Sequence, residues 1–195
     1  PVLADIILDS VSQEVDSFLD PYWLHGNKKQ PDRLLSALRA SLEAHEGDII
    51  EIGCHEGRMT EQFARIAKEY GRRVIAVDPW QMGTQNIHGD EYQNFLKNTE
   101  AYRDTIDIIR SSSLDADAIR KIQNRQLAFA WVDGLHTYEA CLKDILTVKH
   151  CKGYIAVDDV LWSRPCEVAT MRGAFLTDRT PVHHPMCREA YLVSG

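Results

Sequence analysis

The sequence predicts a doubly wound α/β domain, a mostly parallel sheet with helices on both faces. Three observations predict it. From residue 48 onward, short apolar runs alternate with helical patterns, which is how a parallel sheet with crossover helices reads. The first run ends in a glycine-containing turn that opens a helix, and acidic residues close later runs, at the strand ends where such sheets bind ligands. At 195 residues the chain can bury roughly 70% of the surface its unfolded form exposes. No internal repeat or low-complexity linker divides it. We therefore expect one domain over residues 1–195, with N-terminal helices or a lid over 1–47 and the α/β core over 48–195.

The elements follow in order. Leu3, Ile6, Ile7, Val11, Val15, Phe18 and Leu19 recur at helical spacing until Asp20-Pro21 stops them. A second helix starts at Pro31, carries Leu34, Leu35, Leu38 and Leu42, and ends near Gly47. Strands are expected at Asp48–Ile52, Val74–Val77, Ile106–Ile109, Leu127–Val132 and residues 154–157. The helices between them are carried by Met59/Phe63/Ile66, Tyr92/Phe95/Leu96, Leu114/Ala118/Ile119/Ile122 and Tyr138/Cys141/Leu142/Ile145. A last helix begins at Pro165, capped by Ser163 or its neighbour and carrying Val168, Met171 and Phe175. A closing strand covers 190–193.

Composition narrows the function classes. Net charge is −7, with 22 basic residues against 29 acidic ones, and the basic residues form no stripe that could track phosphates, so nucleic acid is not an expected partner. Five cysteines, an odd number without a CxxC pair, read as reduced, mostly buried thiols. No apolar run is long enough for a membrane span and the first residues lack a signal-peptide pattern; we expect a cytoplasmic protein.

The first strand runs into Glu51-Ile52-Gly53-Cys54-His55-Glu56-Gly57-Arg58. Gly53 permits a tight turn, and Gly57 lets a ligand approach the backbone at a helix N-terminus. By itself this pattern fits a plain strand-to-helix turn equally well. The second strand ends in Val77-Asp78-Pro79-Trp80, which places a carboxylate where a ribose diol is usually read. A dinucleotide would want G-x-G-x-x-G; counting from Gly53, His55 and Arg58 stand at the other two glycine positions, a departure that a nucleoside without phosphates tolerates. In Ser111-Ser112-Ser113 after the third strand, one serine is expected to cap the next helix, and the same backbone could border an adenine ring.

The fourth strand ends at Asp133, followed by Gly134-Leu135-His136, and the fifth ends at Asp158-Asp159. Adjacent strands would bring the three aspartates together, and clustered carboxylates repel unless a cation neutralises them. An oxygen-rich shell of this kind suits Mg²⁺ or Mn²⁺ better than zinc. The alternatives are a turn or helix cap at Asp158-Asp159 and a packing role for His136.

EIGCHEGRMT, VIAVDPW, SSSLDADA, WVDGLHTYEACLKDI and GYIAVDDVLW, in this order, resemble the class I S-adenosylmethionine methyltransferases, particularly the macrocin O-methyltransferase-like small-molecule group. The resemblance implies a Rossmann-like methyltransferase sheet with an antiparallel C-terminal strand. It implies cofactor contacts from Glu51, Gly53, His55, Gly57, Asp78, Trp80, Ser113 and Asp133, and a divalent metal on Asp133, Asp158 and Asp159. Antibiotic-sugar members often carry an acid where this chain has Leu135, so His136 becomes the natural base, with Asp133 beside it. The expected reaction is O-methylation of a small molecule whose vicinal oxygens, as in a sugar or a phenol, chelate the metal. Specificity would come from the N-terminal helices and a lid at 81–104, and Trp80, Trp162 and Tyr138 could line the acceptor pocket. A homo-oligomer is compatible with the sequence. Competing readings are a metal-independent methyltransferase, an NAD-dependent dehydrogenase, an iron-dependent hydroxylase, which would want two histidines beside a carboxylate, and a non-catalytic nucleoside-binding module.

Overall fold

Runs such as Ile49–Ile52 and Phe129–Val132 are apolar almost throughout because the strands that carry them are covered on both faces. The structure, a computed structural model, describes residues 30–80, 90–183 and 187–194. Its strands are β1 (Asp48–Ile52), β2 (Val74–Val77), β3 (Ile106–Ile109), β4 (Leu127–Val132), β5 (Ile155–Val157), β6 (Arg179–Val182) and β7 (Ala190–Ser194). They form one sheet in the order β3-β2-β1-β4-β5-β7-β6. β1 to β5 pair in parallel, whereas β7 runs antiparallel to both β5 and β6. The helices are α1 (Gln30–Ala44), α2 (Arg58–Glu69), α3 (Glu91–Asn98), α4 (Ala116–Gln123), α5 (Tyr138–Thr147) and α6 (Arg164–Thr177), with a 3₁₀ segment at Glu100–Thr105. This is the doubly wound, mostly parallel architecture the sequence predicts. The helix expected over residues 3–19 and residues 81–89 of the expected lid lie outside the described residues.

Side-chain alternation along the strands divides the core in two. Ile49, Val74, Ala76, Phe129, Trp131 and Tyr191 pack against Leu34, Leu38 and Leu42 of α1 and Phe63 and Ile66 of α2. Ile50, Ile52, Ile75, Val77, Ala130, Val132 and Leu192 face Ile122 of α4, Cys141 and Ile145 of α5 and Ala169 of α6. A bidentate pair fastens α1 to the strand end. Arg33 donates through Nε and Nη2 to the fully buried Glu189, at 2.7 and 2.9 Å. At the amino end of the sheet, Arg125 bridges Asp48 (2.7 Å) and Asp107 (2.8 Å), and Arg73 pairs with Asp107. Those groups are spoken for, which leaves the carboxyl edge for chemistry.

Two expectations change. β6, with the sequence RTPV, was not expected: it is a half-buried edge strand whose arginine and proline hide it from an apolar-run criterion. Helix α6 does begin beside Pro165, with the Ser163 hydroxyl accepting from the Cys166 amide, but Val168, Met171 and Phe175 face solvent. Its packed face is Cys166, Ala169, Thr170, Gly173 and Ala174. Small residues let α6 approach α5 closely: a Cβ on Gly173 would sit 2.7 Å from a methyl of Ile145. Among the described residues no helix is long and apolar enough to cross a membrane, and the five cysteines are free and buried.

Candidate active site

Four of the sequence-predicted residues stand one position beyond a strand, held there because the ladder continues past the strand end. Gly53 N–H donates to Val77 O (2.9 Å), Asp78 N–H to Ile109 O (3.2 Å), Asp133 N–H to Ile52 O (2.8 Å) and Asp158 N–H to Val132 O (2.9 Å). The carboxyl ends of β1, β2, β4 and β5 are thus level, and their first loop residues form one edge. His55, Trp80 and Asp159 on this edge have positive φ (46°, 41° and 57°), a conformation side chains rarely adopt and one that concentrates at functional sites.

The β1 turn is set by contact. Gly53 has φ 89°, and a Cβ there would lie 2.0 Å from the Asp133 carbonyl oxygen, so the turn and the start of the β4 loop touch backbone to backbone. Gly57 (φ 76°) passes under the Phe95 ring of α3. Asp78 Oδ2 accepts from the Cys54 and His55 amides (2.9 and 3.0 Å) and Oδ1 from the Trp80 amide (2.8 Å). With about four acceptor positions on a carboxylate, Oδ1 keeps one. α3 closes over the turn through Asn98 to Glu56 O (2.8 Å), Asn94 to the Glu56 carboxylate (3.0 Å) and Glu91 beside His55 (3.3 Å).

Two of the proposed cofactor residues are interior. The Trp80 ring is buried against Tyr92 and Phe95 (centroids 5.1 and 4.6 Å), and its Nε1–H donates to His55 O at 2.7 Å. Glu51 is buried on β1, with the Thr60 hydroxyl donating to it at 2.5 Å. Burial, reinforced by the charges of Asp133 and Asp78, pushes its carboxyl up to about 8. Ser113 is half-buried and faces Asp144 of α5, whose carboxyl burial lifts to about 6. The expected serine cap is corrected: Asp115 is the N-cap of α4, Ser111 donates to the Asp115 carboxylate, and Ser112 accepts from the Leu114 amide. Asp115, two residues past the serine run, takes the N-cap position and leaves the serines in the turn before the helix.

The aspartates converge, with a division of labour the sequence did not reveal. Asp133, His136 and Asp159 each offer a ligand atom within 4.8 Å of the others. His136 lies between the two carboxylates, Nδ1 2.9 Å from Asp159 Oδ2 and Nε2 3.3 Å from Asp133 Oδ1. The Asp133 hydrogen bond raises its pKa above the usual imidazole range against the opposing effect of burial. Asp158 is buried, its carboxyl raised by desolvation and then by Asp133, and it is ion-paired to Arg188 Nη2 at 2.7 Å. Arg188 Nε also stands 2.6 Å from Asp159 Oδ1. That contact is ionic only: neither atom finds a hydrogen-bond partner, because the angle is poor. An orphaned carboxylate oxygen next to an imidazole and a second carboxylate fits a divalent cation, with Asp133, His136 and Asp159 as the donors. The nitrogen in the set tilts it from the all-oxygen shell of Mg²⁺ toward Mn²⁺ or a later ion.

Arg188 is the residue sequence reasoning missed. Its signal is register: Val157 lies opposite Ala190 in the β5/β7 pair, and continuing that antiparallel register past the strand sets Asp159 opposite Arg188. Of the aromatics considered for an acceptor pocket, Trp162 is exposed beneath the Arg188 guanidinium (5.3 Å to the ring centroid), and Tyr138 is half-buried against the second core layer.

Fold and edge together define a doubly wound α/β domain with an acidic cluster at the carboxyl end of its sheet. The methyltransferase-domain family model matches residues 50–160, more than half of the chain, and the chain belongs to that family. No curated protein matches it significantly in sequence. Among solved structures it is similar to the TDP-rhamnose 3′-O-methyltransferase CalS11 of calicheamicin biosynthesis (TM-score 0.67, 18% identity, 90% of this chain and 85% of that one). It is similar to the O-methyltransferase NovP (0.58, 18%, 83% and 79%) and to the S-adenosylhomocysteine-bound Podospora anserina methyltransferase PaMTH1 (0.58, 13%, 95% and 94%). These likenesses show the fold: a Rossmann-like methyltransferase sheet with antiparallel C-terminal strands.

Proposed function

We propose that the protein is an S-adenosylmethionine-dependent methyltransferase that methylates an oxygen of a small molecule, aided by a divalent cation, Mg²⁺ or Mn²⁺. The observation that carries this reading is the meeting of Asp133, His136 and Asp159 within 4.8 Å, on the same strand-end edge as the Gly53 turn and Asp78. Family membership and the similarity to CalS11 and NovP support it.

Glu51, Gly53, His55, Gly57, Asp78, Trp80, Ser113 and Asp133 would hold the cofactor, which supplies an electrophilic methyl group. Gly53 and Gly57 let it lie against backbone, the free position on Asp78 Oδ1 accepts from a ribose hydroxyl, and the buried Trp80 and Glu51 keep the turn in shape. A bound cation would supply charge that favours the ionised acceptor hydroxyl. Where the cation rests on the two carboxylates, His136 keeps Nδ1–H on Asp159 and, with Nε2 turned from Asp133 Oδ1 to the acceptor, takes its proton; with a nitrogen on the cation it is a ligand, and the proton leaves to solvent. The acceptor is a small molecule with vicinal oxygens, and nucleic acid is not among the partners we propose.

A second reading has an observation in its favour: Arg188 and His136 already lie against the aspartates, so the cluster could be charge-balanced without metal. Calorimetric titration with S-adenosylmethionine tests the core of the proposal. An acceptor screen with Mn²⁺ or chelator follows, repeated on Asp159→Asn, which alters the cation cluster and no residue assigned to the cofactor. We expect cofactor binding by both proteins and turnover by the wild type alone, abolished by chelator. Absence of cofactor binding sinks the methyltransferase reading; chelator-resistant turnover selects the second reading.

A further inference from the structure

Arg188 is the one Lys or Arg side chain ion-paired to this cluster among the described residues, and it contacts two of the three aspartates at once. It is one-third exposed, so it lies at the rim and not in the core. Its grip is unequal. Nη2 meets the buried Asp158 at 2.7 Å, while Nε approaches Asp159 Oδ1 at 2.6 Å without hydrogen-bond alignment. Asp159 is therefore the looser half of the fork. The exposed Trp162 ring, already 5.3 Å from the guanidinium carbon, offers a face on which the cation can rest without Asp159.

We propose that Arg188 is the resident counter-ion of the Asp158–Asp159 pair and sets how tightly a divalent cation is held by Asp133, His136 and Asp159. The proposal rests on the cation-assisted reading above. Arg188 places a positive charge directly against two of the carboxylates that a divalent ion would have to approach. It also stands against the oxygen the ion would use, so the ion meets both a like charge and a competitor. Removing the guanidinium removes both obstacles, while the Trp162 and Ser163 amides still hold Asp159 through its backbone carbonyl. Arg188 is thus a positioning residue that tunes affinity, and Asp158 is its buried anchor.

The test is Mn²⁺ binding by calorimetry on the whole chain, without acceptor, for the wild type, Arg188→Met and Arg188→Lys, with thermal melts of each. We expect Arg188→Met to bind Mn²⁺ about tenfold more tightly or better, as loss of a nearby like charge requires. Arg188→Lys, which keeps the charge, should stay within about threefold of wild type. Should Arg188→Met fail to fold, Arg188→Gln takes its place. Unchanged or weaker binding by the neutral variant overturns the proposal, as does absence of Mn²⁺ binding in all three proteins. S-adenosylmethionine titrated in parallel separates the two claims: its failure to bind ends the methyltransferase reading while leaving the Mn²⁺ comparison to be judged by itself.

Discussion

Glu51 stores a proton that the unfolded chain would lose, and replacing it with glutamine should expose the cost. Its carboxyl sits inside the sheet with its pKa moved from an ordinary 4.5 up to about 8, first by burial and then by the charges of Asp133 and Asp78. Below pH 4.5 both states are protonated and folding is unpenalised. Between 4.5 and 8 the unfolded chain ionises while the folded one keeps its proton, so stability falls by about 1.4 kcal/mol per pH unit. Above 8 the folded group ionises too and the loss levels off. At pH 7 the accumulated cost is about 3 kcal/mol, from 2.5 units between 4.5 and 7. Glu51→Gln keeps the shape and a carbonyl acceptor for Thr60 but does not titrate. Urea unfolding at pH 5, 7 and 8.5 should show the variant close to wild type at pH 5, about 3 kcal/mol more stable at pH 7, and further ahead at 8.5. A constant offset across the three pH values would refute the reasoning, because the difference would then be packing and not a proton.

Gly53→Ala forces a side chain into φ 89° with its Cβ 2.0 Å from the Asp133 carbonyl; a lowered melting temperature and loss of S-adenosylmethionine binding are expected, and wild-type behaviour in both would contradict the close approach. Arg33→Ala strands the buried Glu189 carboxylate and should cost about 3–5 kcal/mol in chemical unfolding; a loss under about 1 kcal/mol would mean that water reaches Glu189. Asp178 caps α6 at φ 53°, so Asp178→Gly should raise stability by about 0.5–1 kcal/mol, measured by thermal melting, with a decrease counting against backbone strain there.

The fold was legible where burial is two-sided. β1, β2 and β4 are apolar on both faces and coincide with the expected segments, because nothing else explains such runs between helical patterns. β6 was invisible, since an edge strand holding Arg179 and Pro181 has no apolar run to display. In α6 the visible apolar residues point outward, and the contact with α5 is made by Ala169, Gly173 and Ala174, where smallness and not hydrophobicity is the signal. The site was legible because Gly53, Asp78, Asp133 and Asp158 each follow a strand directly, so finding strand ends located them. What local reading could not show was partnership. That Asp158 is buried against Arg188 while His136 joins Asp133 and Asp159 depends on the β5/β7 register and on where the β4 loop turns, both settled by long-range packing.

The placement of β7 bears on how the protein is made. The strand formed from the last described residues lies not at the rim of the sheet but between β5 and β6, and Arg188 arrives with it. During synthesis the parallel strands and their turns can assemble while Asp158 and Asp159 still lack their guanidinium, so a nascent chain stalled before residue 188 holds an overcharged cluster beside an open seam. A ribosome-bound intermediate of this kind would be the form most inclined to capture a stray cation, or to pair the bare edge of β5 with a neighbouring chain.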